Sequence, residues 1–80
     1  MSFFKTDEKQ QENEILSLCR KTPGWVMREP VGGTYVGKCV VFNMNGPQTQ
    51  RKDGNWDPAV VAFGNNWTEV HEVFKSRNML

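Results

Sequence analysis

The chain reads as an α+β domain, and three features of its 80 residues point there. A helix-like stretch opens it, a second closes it, and β-branched and aromatic runs lie between. The expected order is α-β-β-(long loop or β-arm)-β-α. A small antiparallel sheet of three or four strands should carry both helices on one face. Residues 1–80 are enough for a single domain with a thin core. Mean hydropathy is −0.62, so aromatics, three Trp among them, must fill much of that core.

The first helix is expected from "TDEKQQENEILSLCRK". Thr6 is a candidate N-cap, and Asp7 and Glu8 suit the positive end of the helix dipole. Arg20 and Lys21 suit the negative end, and Pro23-Gly24 stops the helix. Its apolar stripe is short: Ile15, Leu16, Leu18 and Cys19, with only Phe3 and Phe4 upstream. The stretch "DEKQQENE" has no apolar face, which reads as a solvated start or as a helix projecting toward a partner.

"GWVMREPV" is the expected first strand, with Trp25 and Met27 on one face and Val26 and Arg28 on the other. Pro30 places it at an edge or ends it early. Gly32-Gly33 is read as a tight turn into "TYVGKCVVFNM", the longest expected strand. In that strand Val36, Val40 and Phe42 should share one face, and Tyr35, Cys39 and Val41 the other. "PAVVAFG" is a third strand, apolar on both faces. Asn66 with Glu69 three residues on approximates a capping box for the last helix. Trp67, Val70, Val73 and Phe74 form its buried stripe. The core candidates are Ile15, Leu18, Trp25, Val40, Phe42, Val61, Phe63, Val70 and Phe74.

Residues 45–57 form the long polar connection or β-arm. Connections above about 12 to 15 residues without structure are uncommon in compact domains. Asn45-Gly46 and Asp53-Gly54 are both turn signals, so "PQTQRK" between them can run as a polar strand that returns through Trp56.

Composition narrows the function. Ten basic residues face nine acidic ones, split six to five up to residue 40 and four to four beyond. Neither half carries the excess that drives phosphate-backbone binding. No run of about 18 apolar residues exists to span a membrane. The start "MSFFKTDEKQ" lacks a secretory apolar region, so a cytoplasmic location is expected. Cys19 and Cys39 match no metal spacing and are expected as reduced, half-buried thiols.

Catalytic motifs fare poorly. "GGTYVGKC" nearly matches the phosphate-binding P-loop, but Cys39 replaces the magnesium-ligating hydroxyl and a strand follows instead of a helix. "NWT" at 66–68 matches a glycosylation sequon, yet Asn66 is better used as a helix cap. His71 has Lys75, not a second His, one turn on, which excludes a zinc-protease motif. No carboxylate pair and no nucleophile–base spacing stands out. The expectation is therefore a non-enzymatic protein-binding module without cofactor or metal. It would act as an inhibitor or adaptor, a size class that includes phage-encoded proteins, on a larger protein partner. Trp56 would anchor the contact, Arg51 would bind a carboxylate or phosphate, Lys52 would steer, and Tyr35 would assist. An uncovered sheet edge also allows a homodimer.

The alternative is nucleic-acid binding. The order helix, three antiparallel strands, helix is that of double-stranded-RNA-binding domains, and "GPQTQRK" resembles their Gly-Pro loop. That resemblance implies contact with RNA phosphates at the start of the last helix. Here the start is the acidic "NNWTEVHE", and the long connection follows the second strand instead of the first.

Overall fold

The computed structural model describes residues 3–80, with side chains from Glu8 onward. Seven elements follow one another: α1 (Phe3–Lys21), β1 (Trp25–Arg28), β2 (Cys39–Asn43), β3 (Thr49–Gln50), β4 (Trp56–Asp57), β5 (Ala59–Gly64) and α2 (Trp67–Ser76). The main sheet is antiparallel with order β1-β2-β5, and β3 and β4 make a separate two-stranded sheet. This is the expected α+β architecture, with both helices on one face of the main sheet.

The core lies between helices and sheet. Ile15 and Cys19 of α1 and Trp67, Val70 and Phe74 of α2 meet Cys39, Val41 and Ala62 of the sheet. Trp25 stacks on Phe74 with ring centroids 5.8 Å apart. Strand pairing explains which side chains arrive there. Met27 and Ala62 both sit opposite Val41, so the three share a face. Alternation would then put Val61 and Phe63 together on one face of β5. A β-bulge prevents it: Val41 pairs with Ala62 but Phe42 with Val60, leaving Val61 extra. Val61 therefore packs on the helix side with Ala62, while Phe63, opposite Val40, lies by ordinary alternation on the other face. Phe63, a core candidate from sequence, is 49% exposed.

Two further expectations are corrected. Residues 34–38 do not extend β2; they form a wide loop from Glu29 to Lys38. Gly33 and Gly37 adopt positive φ (87° and 79°) inside it. The loop is tied by Gly37 N–H to Pro30 O at 3.3 Å and Lys38 N–H to Tyr35 O at 3.0 Å. Tyr35 thereby reaches the face opposite the one expected, edge-on to Phe42 and Phe63. Val36 is left exposed. Likewise α1 starts at Phe3, so Thr6 lies within the helix; the side chains of Phe3, Phe4, Thr6 and Asp7 fall outside the described residues.

The polar half of α1 is a structured contact. Glu8, Gln11 and Glu14 stand three residues apart, which places them on one helix face. Trp67 N–H donates to Glu8 Oε2 (3.1 Å), Thr68 Oγ1 donates to Gln11 Oε1 (2.7 Å), and His71 Nε2 donates to Glu14 Oε1 (2.8 Å). These bonds join α1 to α2 above the apolar contact. The start of α2 is capped as expected: Glu69 N–H donates to Asn66 Oδ1 at 2.9 Å. Glu69 reaches back to Asn65 N–H, also at 2.9 Å, one residue before the usual capping-box position.

Candidate functional site

The connection 45–57 is an ordered β-arm. Thr49 pairs with Asp57 and Gln50 with Trp56. At the tip, Gly54 N–H donates to Arg51 O (3.0 Å) and Arg51 N–H to Asn55 O (2.7 Å). Lys52, Asp53 and Gly54 therefore form a three-residue loop closed by a positive-φ residue, and Gly54 supplies it at φ 91°. Asn55 N–H donates to Asp53 Oδ1 at 3.0 Å. That bond, with the nearby Arg51 charge, holds the Asp53 carboxyl below its ordinary range. The arm's base is fixed at Gly24: a Cβ there would lie 2.5 Å from Asn45 Nδ2, and Met44 N–H donates to Gly24 O at 2.7 Å.

Alternation gives the arm two unlike faces. Thr49, Arg51 and Asp57 share one, and Gln50 and Trp56 the other. Arg51 Nε lies 3.5 Å from Asp57 Oδ1 and 3.7 Å from Asp53 Oδ1. Its guanidinium also abuts Gly33, where a Cβ would come within 3.3 Å of Nη1. This face of the arm leans on the 30–35 loop, and together they line a cleft over Phe42. The opposite face is open. Trp56 is 58% exposed, and Lys52 stands exposed at the tip.

The four residues singled out from sequence thus divide. Trp56 and Lys52 are presented to solvent. Arg51 is half-buried and paired with its own arm, and Tyr35 packs between Phe42 and Phe63. Near them sequence reasoning missed Val31, 98% exposed on the loop that the arm leans against. An isolated valine between Pro30 and Gly32 offers no periodic signal that would mark it.

The groups with chemical potential are bonded or buried. Lys38, from the P-loop-like stretch, donates to Asn65 Oδ1. Burial and the charges of Glu29, Glu8 and Glu12 push the Cys39 thiol up to about 11. Burial raises that of Cys19 too. Both are free thiols, and neither is poised as a nucleophile. No group of metal-ligating side chains occurs among the described residues. No described helix is long and apolar enough to cross a membrane. Comparison with protein-family models, curated proteins and solved structures returns no match.

Proposed function

We propose that the chain is a non-enzymatic protein-binding module that docks onto a larger partner through the outer face of its β-arm. Trp56 carries the reading. A large indole is held more than half in water on an ordered element, while the arm's other face is fastened by Arg51 and Asp57. Trp is among the commonest energetic anchors of protein interfaces, and a preordered anchor loses little entropy on docking. Lys52 adds a steering charge. Arg51 and Tyr35 contribute by positioning the arm and the adjoining loop. An inhibitor or adaptor role fits a domain this small, as in phage-encoded examples, and two free thiols fit a reducing compartment such as the cytoplasm.

Nucleic acid is served less well. Phosphate recognition at the start of α2 would need free N–H groups and basic side chains. There Glu8 takes Trp67 N–H, Asn66 takes Glu69 N–H, and Glu69 and Glu72 add negative charge.

The test is capture from a source-cell lysate by the tagged protein, with and without nuclease. A defined protein should be retained after nuclease. Trp56→Ala should weaken that capture at least tenfold at unchanged melting temperature. Undiminished capture by a folded Trp56→Ala variant would remove the arm as the contact. Nuclease-sensitive capture that falls steeply with salt would replace the reading with nucleic-acid binding.

A further inference from the structure

The main sheet has two edges, and the chain treats them differently. At β5, where the pairing with β2 carries the bulge, Arg77 Nη1 donates to Val61 O at 2.8 Å. A guanidinium thus occupies a carbonyl that an added strand would need, a usual way of blunting an edge. At β1 no such group stands in the way among the described residues.

The pairing register shows which backbone groups of β1 are open. Met44 N–H donates to Gly24 O, in register with Trp25 opposite Asn43. Antiparallel pairs alternate, so Gly24, Val26 and Arg28 direct their backbone groups to β2, and Met27 directs its N–H and C=O outward. Beside that edge runs a groove of about 330 Å³ between α1 and β1, floored by Leu16, Trp25 and Met27 and flanked by Arg20 and Arg28. Leu16 is 38% exposed there. Neither arginine forms an ion pair among the described residues, and Glu29 closes the positive stretch at its far end.

We propose that this groove accepts an extended acidic peptide segment of a protein partner as a fourth strand on β1. Main-chain bonds to Met27 would set its register, as in β-strand addition generally. Alternate side chains of an added strand fall on opposite faces. One set, apolar, meets Leu16 and the α1 side. The other, carboxylate, meets Arg28 on the face away from α1, and Arg20, on α1, adds positive charge at the end near the start of β1. A second copy of this chain fits worse, because antiparallel β1–β1 pairing brings two sets of arginines together. The site is separate from the arm and does not depend on the role of Trp56.

The probe is a short acetylated peptide alternating Glu and Val, with a Lys/Val counterpart, titrated into the 15N-labelled protein. The acidic peptide should shift the amides of residues 25–28 and slow exchange of the Met27 N–H. It should bind at least tenfold tighter than the basic one. Arg20→Glu with Arg28→Glu, both exposed positions that leave the core intact, should invert that preference. Trp56→Ala should leave it unchanged. Equal affinity for the two peptides, shifts confined to other residues, or no shift at all would overturn the proposal. Concentration-dependent self-association that moves the same β1 amides without peptide would replace the occupant with a second copy.

Discussion

Replacing Phe63 and Phe74 separately by Ala tests which face of the sheet is core. Both are core candidates in sequence, Phe63 in an apolar strand run and Phe74 on the apolar stripe of the last helix. Phe74 is fully buried, stacked on Trp25 at 5.8 Å, and should cost about 3 to 5 kcal/mol on truncation. Phe63 is 49% exposed and holds chiefly Tyr35, so its loss should cost roughly 1 to 2 kcal/mol. A domain of 80 residues has a total stability of about 4 to 12 kcal/mol. Phe74→Ala should therefore consume much of the margin or leave no cooperative transition. Phe63→Ala should melt cooperatively, lower by roughly 5 to 15 °C. Urea and thermal melts followed by far-ultraviolet circular dichroism measure both. Equal losses would refute the register that sets Phe63 opposite Val40, because Phe63 would then have to lie under the helices.

Three other outcomes follow from single contacts. Arg51→Ala should speed hydrogen exchange across residues 49–57 while changing global stability by less than about 1 kcal/mol, since exposed ion pairs contribute little; unchanged protection would show that Arg51 does not fasten the arm. Glu14→Ala removes the one partner of a buried His71 whose Nδ1 already has none, and should cost about 1 to 3 kcal/mol by urea melt. Adding His71→Leu should recover part of that loss. Cys39 keeps its proton in the folded state up to about 11 and releases it at about 9 when unfolded, so stability should fall as pH rises through that window. Cys39→Ala should flatten this alkaline limb, and Ellman's reagent should react slowly with the folded parent.

Local signals made much of the fold readable. Pro23-Gly24 ends α1, and Asn66 with Glu69 starts α2, because caps act within a few residues of where they are written. Two Xaa-Gly pairs marked the turns of the arm, although Asp53-Gly54 closes a three-residue loop instead of the two-residue turn such pairs favour. The errors came from features that strand composition does not show. "TYVG" has strand composition, yet the positive-φ glycines at 33 and 37 curl it into a loop. The bulge turned Val61 to the helix side and parted it from Phe63, and no residue type announces a bulge there. At the candidate site, the exposure of Trp56 follows from period-two alternation along the arm, and that of Lys52 from its place in the turn. The withdrawal of Arg51 depends on Asp57 lying across the hairpin, and that requires the register.

The polar start of α1 has the same kind of hidden cause, and it bears on how the domain selects one arrangement. Apolar contacts among Ile15, Cys19, Val70 and Phe74 hold the helices together, but hydrophobic attraction is non-directional and would tolerate a sliding α2. Three bonds in sequence, Glu8 to Trp67, Gln11 to Thr68 and Glu14 to His71, do not. A shift of one residue would break all three and leave a buried histidine without its carboxylate. Because only Asn65 and Asn66 separate α2 from β5, fixing α2 along α1 also limits where β5 can lie against β2. The charged segment that looked dispensable for the core is thus what gives the helix layer its register, and through it the sheet.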